Sequence, residues 1–502
     1  MALIRRLPEN GSGPAHKIAQ RLPPGNHEPP ADFRLIRTRA AGVTASHEAG
    51  QFMHGTFQQR LKIAVVGAGV SGLSAAWLLS KAHDVTLYEA DNRLGGHANT
   101  ASLVEADGSE LAVDTGFIVY NEATYPNFTA LMAHLEVETR ATEMSFAVSL
   151  DEGRLEYSGT SLSGLFAQRR NLVNLRFWSM LRDLVRFYRQ APRDLESLAP
   201  GEVSLGDYLD QGGYGAAFRD DHLLPMAAAI WSAPCAEMLS YPAAAFIRFH
   251  DNHGLLRLTG RPVWRTVSGG SRSYVQRLKA DFPGEVRIGC TVRRIQRDSH
   301  GVVLADGHGG QRRFDHVVIA THADQALAML AQPSPEESAL LGAFRYSRNR
   351  AVLHCDEALM PRRRSAWASW NHLGERGAPE APCAVTYWMN RLQGLSSRRP
   401  LFVTLNPASD PRPQTVLREE VYTHPLFDAA AVAAQAQLWS LQGARRTWYC
   451  GAHFGAGFHE DGLQAGLAVA EDLGGVRRPW SVSNESGRIA RHAARPLEEW
   501  AA

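Results

Sequence analysis

Lysine is almost missing from this chain. Of 502 residues only Lys17, Lys62, Lys81 and Lys279 are lysines, so arginine carries the positive charge and lysine-dependent chemistry has four residues to draw on. Cysteine is scarce too: Cys235, Cys290, Cys355, Cys383 and Cys450 are scattered, odd in number and without a CxxC pair. That pattern excludes a disulfide framework and a zinc site, and it points to reduced thiols in the cytoplasm. No run approaches the roughly 20 apolar residues that a bilayer span needs. Arg5 and Arg6 are not followed by the apolar stretch of a secretory signal. With a net charge of only +2, nothing global steers the protein to nucleic acid.

What is present is enough apolar material for a large core, 44% of residues, in a chain too long for one ordinary domain. Residues 1–58 are rich in Gly, Pro, Arg and His and hold no sustained period, which predicts a disordered, dispensable leader. Organisation begins at KIAVVGAGVSGLSAAWLLSKAHDVTLYEADNRLGGHANT. This stretch parses as a strand over Ile63–Val66, a glycine turn, a helix over about Ser71–Ser80 and a second strand over Val85–Glu89, a right-handed crossover unit. A buried strand at Val317–Ala320 and a strand, turn and helix within Thr447–Leu473 repeat that character. The predicted class is α/β: a discontinuous Rossmann-type domain from 59–120, 263–334 and 441–476, with an inserted α+β substrate domain from 121–262 and 335–440 and a tail over 477–502. The first insert reads as mainly helical, the second as short strands such as Ala384–Trp388 and Leu401–Leu405.

The Gly67-x-Gly69-x-x-Gly72 fingerprint sits after an apolar strand and opens a helix. Gly67 permits the turn, Gly69 lets backbone approach a pyrophosphate, and Gly72 lets helix pack on strand. The helix N-terminus, Ser71 included, offers free N–H groups to phosphates. Glu89, at the end of the second strand, is placed for ribose hydroxyls. The fingerprint alone does not choose between NAD and FAD.

EADNRLGGHANT, Asp114-Thr115-Gly116-Phe117, Val267-Ser268-Gly269-Gly270-Ser271 and the glycine-rich C-terminal segment occur in that order. Together they resemble the flavin amine oxidase and carotenoid desaturase superfamily over about 60–475. The resemblance implies FAD, with Arg93 near the pyrophosphate, Gly95 and Gly96 at the close approach to the flavin, and further contacts at Thr115, Gly116, Gly270, Val292, Thr321, Gly451, Asp461, Gly462 and Leu463. WYCGAHFGAGFHEDGLQAG is similar to a bacterial branch of that superfamily associated with cyclopropane-fatty-acyl synthases, including a desaturase of furan fatty acid formation. That likeness implies dehydrogenation of a methylated or related fatty acyl chain, with oxygen or another acceptor reoxidising the flavin and a lipid-modifying enzyme as partner.

Two departures bear on mechanism. Ala452 stands where the superfamily commonly has an acid beside the flavin; Glu460 or Asp461 would substitute, or both are exposed acids at a helix start. No lysine is well placed for the water-holding role that the family's amine oxidases use, which weighs against amine oxidation. His459 or Glu460 is the candidate base. His453 and His459 lack a third ligand at metal spacing, so no metal is expected. Tyr120, Asn121, Trp231 and Trp388 would line an apolar channel or simply belong to the core.

Over Gln168–Arg193 one helical face carries Phe177, Leu181, Leu184 and Tyr188, and another carries Arg182, Arg186, Arg189 and Arg193. Such a helix either lies on anionic lipid at the inner face of the cytoplasmic membrane or packs its apolar face into the core. The enzymatic alternatives are an amine oxidase or a carotenoid-like desaturase. A different class of reading is a flavin-bearing, non-catalytic partner of a lipid-modifying enzyme.

Overall fold

The computed structural model describes residues 60–492 apart from 199–200, 232, 258 and 379–382; the expected leader over 1–58 lies outside the described residues. KIAVV, Lys62–Val66 (β1), and DVTLY, Asp84–Tyr88 (β2), are each exposed at the first residue and buried over the next four. Burial on both faces is what a covered parallel sheet demands. Between them VSGLSAAWLL forms α1, Val70–Leu79, with all ten residues buried, as befits a helix apolar on every side. Glu285–Arg287 (β3), His316–Ile319 (β4) and Thr447–Tyr449 (β5) complete the sheet in the order β3-β2-β1-β4-β5, parallel throughout. This is the strand order of a dinucleotide-binding Rossmann sheet, and its strands come from three separated stretches of chain.

Six more helices position the site: Pro126–His134 (α2), Leu175–Asp194 (α3), Leu224–Trp231 (α4), Ala243–Asn252 (α5), Arg272–Ala280 (α6) and His459–Asp472 (α7). α7 lies directly on α1. A Cβ at Gly466 would stand 2.2 Å from the Ser71 carbonyl oxygen, so the crossing needs a bare backbone there.

A seven-stranded sheet joins the two inserts. Its order is Val416–Leu426, Arg345–His354, Phe402–Leu405, Ala384–Trp388, Trp370–Gly374, Phe146–Leu150 and Leu155–Ser158, antiparallel except where Trp370–Gly374 meets Phe146–Leu150. The first insert thus contributes strands as well as helices. FAVSL and LEYS flank a tight turn at Asp151–Arg154, a hairpin that its helical surroundings obscure in sequence. Thr139–Thr142, also from that insert, pairs with Trp264–Val267.

The segment set apart as a tail is packed as far as 492. The guanidinium of Arg478 is buried in a two-bond pair with Glu471 and also donates to Asn127 Oδ1 at 2.9 Å. Trp480 stacks on Trp77 with centroids 6.0 Å apart, so this strap ties α7 to α1 and α2. Among the described residues no helix is long and apolar enough to cross a membrane.

Candidate active site

The carboxyl ends of β1, β2, β4 and β5 converge on one crevice, where α1 and α7 begin. Gly67, at φ +99°, turns the chain and donates its N–H to the Tyr88 carbonyl at 2.8 Å. A Cβ on Gly67 would meet Ala320 O at 2.9 Å and Thr321 Cγ2 at 3.2 Å, which places Thr321 against the fingerprint turn. At Gly72 a Cβ would fall 1.8 Å from Gly67 O, so helix and strand are in contact. Gly69 is the exception: a Cβ there would meet nothing within 4 Å. Open space over the backbone at the mouth of a helix is what a pyrophosphate needs.

Glu89 borders the same space. Its Oε2 accepts from Ala68 N at 2.7 Å and its Oε1 from Asp91 N at 2.9 Å, which fixes the carboxylate with lone pairs to spare. Burial raises its pKa, and the two backbone bonds counter that. Gly95 donates to Ala68 O at 2.8 Å, and a Cβ on Gly96 would lie 3.1 Å from Gly69 Cα, so both close over the turn. Arg93 Nη1 is buried without a hydrogen-bond partner. An unpaired guanidinium nitrogen beside an open glycine cradle fits an anionic group, and these residues therefore suit the pyrophosphate of a dinucleotide. Val292 is buried two residues beyond Cys290, whose N–H bonds to Glu89 O at 2.8 Å, so it sits toward the ribose acid.

On the opposite flank Gly451 follows β5, where a Cβ would meet the His453 ring at 2.6 Å and Thr321 O at 3.5 Å, and a Cβ on Gly462 of α7 would meet Ser71 Oγ at 2.8 Å and Val70 Cγ1 at 3.0 Å. Leu463 is buried in the same helix. Thr115, Gly116 and Gly270 form a separate lock. Asp114 accepts from Ser271 N and Oγ, Thr100 Oγ1 and Gln393 Nε2. Thr115 Oγ1 contacts Tyr422 OH at 2.7 Å, and Phe117 N donates to His97 O at 2.7 Å, so the lock holds the 95–100 segment in place.

The candidate bases are corrected by their surroundings. Glu460 and Asp461 are both fully buried, not exposed acids at a helix start. Glu460 Oε1 accepts from Asn127 N at 3.1 Å, Asn127 Nδ2 at 2.9 Å and Gln464 Nε2 at 2.9 Å, and Oε2 accepts from Phe128 N at 2.9 Å. It anchors the first turn of α2; burial raises its pKa, and the bonds from Gln464, Asn127 and Phe128 counter that. Asp461 caps α7 through Phe458 N and pairs with Arg488 at 2.5 Å. His459 lies flat on Phe117, centroids 3.7 Å apart and 4° from parallel, while its Nε2 and the Tyr274 hydroxyl share a hydrogen bond of 2.7 Å. Burial pulls its pKa down to about 3, so it is a neutral packing element.

Sequence reasoning missed a set of buried histidines around the glycine segments. The His97 ring stands 5.0 Å from that of Tyr422 and 5.3 Å from that of His424, and its Nε2 has no partner. His453 Nε2 is likewise unpaired. Burial lowers all of them, His424 to about 4 and His453 to about 3, so they are neutral donors or acceptors rather than charges. His97 adjoins Gly96 and was within reach of the motif; its partners on Val416–Leu426 carry no local signal.

Helices α4 and α5 bring an aromatic wall to the start of α7. Trp231 and Phe249 are 4.7 Å apart, Phe249 stacks on Phe458 at 4.7 Å, and His253 stacks on Phe249 at 4.0 Å. Trp231 Nε1, His250 Nε2 and His253 Nε2 are buried without partners. Tyr120 packs on Phe128 at 4.9 Å, and Asn121 Oδ1 accepts from Thr124 N. Trp388 lies apart, against Trp367. No lysine enters the crevice among the described residues: Lys62, Lys81 and Lys279 are exposed.

Comparison with known proteins agrees with this geometry. Residues 70–391 match the flavin containing amine oxidoreductase family. A protein of Mycobacterium tuberculosis named as a flavin-containing monoamine oxidase is 25% identical over 335 residues, 65% of this chain and 70% of that one. A 4,4'-diapophytoene desaturase of Staphylococcus aureus is 30% identical over 139 residues, 26% of this chain and 27% of that one. Among solved structures, a CLA-producing fatty acid isomerase from P. acnes superposes with a TM-score of 0.58 at 14% identity, covering 82% of this chain and 98% of that one.

Proposed function

Since this chain belongs to the flavin containing amine oxidoreductase family and is an FAD-dependent oxidoreductase, we propose that it dehydrogenates an uncharged apolar chain, a methylated or related fatty acyl chain of membrane lipid. When bound, FAD would supply the redox chemistry as hydride acceptor, with the proton of the adjacent carbon leaving to water as a carbon–carbon double bond forms. In this reading Gly67, Gly69, Ser71, Gly72, Glu89, Arg93, Gly95 and Gly96 hold its ADP half and pyrophosphate. Thr321, Gly451, Gly462 and Leu463 border the rest, Val292 borders the adenosine, and the lock around Thr115, Gly116 and Gly270 steadies the 95–100 segment beside them. His97, His424 and His453 offer neutral hydrogen bonds near the flavin. α7 aims its positive end into the crevice, where negative charge is stabilised.

The observation that carries the substrate class is the charge character of the chamber. The two carboxylates that begin α7, Glu460 and Asp461, are both committed to structural bonds, which leaves neither to pair with an ammonium substrate. The wall that remains is Trp231, Phe249, Phe458 and neutral histidines. That a fatty acid isomerase shares the fold is an analogy at the level of fold only. The amine oxidase reading and the carotenoid-like desaturase reading rest on the named relatives. Anaerobic mixing separates them: acyl lipid should bleach the flavin while monoamines and polyamines leave it yellow. Lipids from cells with and without the protein then identify the product. Bleaching by amines alone would overturn the acyl reading, and a flavin that no candidate reduces would favour a non-catalytic partner of a lipid-modifying enzyme.

A further inference from the structure

Of the two readings of Gln168–Arg193, a helix lying on lipid or one packed into the core, the helix takes the second. Its regular part is α3, and Phe177, Met180, Phe187, Tyr188 and Ala191 are buried in the protein, which consumes the apolar face. The segment just before it is inverted. Gln168 and Asn171 point inward, donating to Gly153 O at 2.7 Å and Glu156 O at 3.4 Å, while Leu162, Leu172, Val173, Leu175 and Trp178 face solvent. Exposure runs from 46% at Trp178 to 86% at Leu175, in a protein whose other large apolar side chains are mostly buried.

This outward shape is held, not slack. Trp178 Nε1 donates to Leu172 O at 2.9 Å, its ring lies 5.9 Å from Phe166, and Asn174 caps α3 through Arg176 N and Phe177 N. Val173 also lines an open surface pocket of about 370 Å³ whose charged walls are Arg154, Arg170, Arg176 and Arg376. Two of these are paired: Arg176 Nε with Asp221 at 2.8 Å and its Nη2 with Asp220 at 3.9 Å, and Arg376 Nε with Asp221 at 2.6 Å and its Nη1 with Asp151. Arg154 and Arg170, with neighbouring Arg169, meet no carboxylate among the described residues.

We propose that residues 162–178 and this arginine-walled cavity form a docking surface for an anionic phospholipid bilayer, the aliphatic side chains entering the headgroup boundary and the cavity taking a lipid phosphate. Exposed Leu, Val and Trp ringed by arginine match an interface that is apolar within and negative at its rim. A second copy of this chain is a poorer occupant, because a two-fold pairing would bring two sets of Arg154, Arg169 and Arg170 into one interface, and none of them meets a carboxylate among the described residues. The proposal deepens the acyl-lipid reading and rests on it for its purpose, but docking is measured without turnover.

The test uses the full-length FAD holoenzyme and co-sedimentation with vesicles of phosphatidylcholine, alone or with phosphatidylglycerol. The parent should bind the anionic vesicles about tenfold or more tightly than the neutral ones, and less tightly as salt rises. Combined Leu172→Ser, Val173→Ser and Leu175→Ser should lose about tenfold or more at any salt. Arg154→Gln with Arg170→Gln should weaken binding to anionic vesicles alone. Flavin absorbance should be unchanged in both variants, since these residues lie outside the crevice. Parental failure to bind, or serine variants that bind as the parent does, overturns the proposal. A parental dimer that the serine substitutions dissociate also overturns it and assigns the patch to a second copy. Lipid in detergent micelles keeps the two readings apart: flavin bleaching there without vesicle binding removes the docking surface and leaves the acyl reading. Vesicle binding without any lipid-driven bleaching supports docking and removes the acyl reading.

Discussion

Gly69→Val and Gly72→Ala, three residues apart, should fail in opposite ways. A Cβ at Gly69 meets nothing within 4 Å, and its φ of −70° suits any residue. Valine there costs the folded apoprotein only its N-cap preference, about 1 kcal/mol. It does fill the space over the helix mouth. If the pyrophosphate loses two bonds from charged-group donors at about 1.5–3 kcal/mol each, FAD binding weakens by about 3–6 kcal/mol, roughly 10²- to 10⁴-fold. At Gly72 a Cβ falls 1.8 Å from Gly67 O and 3.0 Å from Ala320 Cβ, so backbone must move and the fold loses about 3 kcal/mol or more. Urea unfolding of the two apoproteins, compared without bound cofactor because ligand adds its own stability, gives the first axis. Flavin absorbance per polypeptide gives the second. Full flavin occupancy in Gly69→Val, or parental stability in Gly72→Ala, would refute this account of the crevice.

Glu460→Ala should cost several kcal/mol by releasing α2 and stranding buried donors, yet leave anaerobic flavin reduction in the folded fraction near parental; a selective loss of reduction would restore its role as base. Glu337 is buried between Arg297 and Tyr449, so Glu337→Leu should destabilise by about 3–5 kcal/mol in chemical denaturation, and a loss under 1 kcal/mol would show the pair to be dispensable. Burial holds His222, His250, His372 and His424 neutral, each at about 4 against an ordinary 6.5. Below pH 6.5 the unfolded chain takes up protons that the folded one refuses. Stability present above 6.5 is therefore lost as pH falls, at up to about 1.4 kcal/mol per pH unit for each group. The urea midpoint should drop clearly between pH 7 and pH 5, and a flat profile counts against four neutral histidines.

The parts legible in sequence were those whose partners are near in the chain. β1, the glycine turn, α1 and β2 occupy 27 residues, and periodicity with glycine spacing is enough to place them. Glu460 shows the opposite case. Nothing in FHEDG indicates that Asn127 and Phe128, more than 330 residues earlier, will take up its oxygens, so a buried anchor reads like a base. α3 fails for another reason. Helical period reveals an apolar face but not what covers it, and core or bilayer gives the same pattern. The exposed Leu172, Val173 and Leu175 escaped notice because they obey no period.

β1 finds β2 close by, but its other neighbour, β4, is distant: Ile63 pairs with His316. At about 5–20 residues per second, a nascent chain holds one edge of that apolar strand open for tens of seconds. β5 and α7 follow more than 120 residues after β4, and the strap reaching α7 is later still. The crevice therefore has both of its helix mouths only once the chain has been made beyond His459. Flavin capture becomes a late event in biogenesis, and until then the waiting β1 edge is a target for chaperones and a route to aggregation.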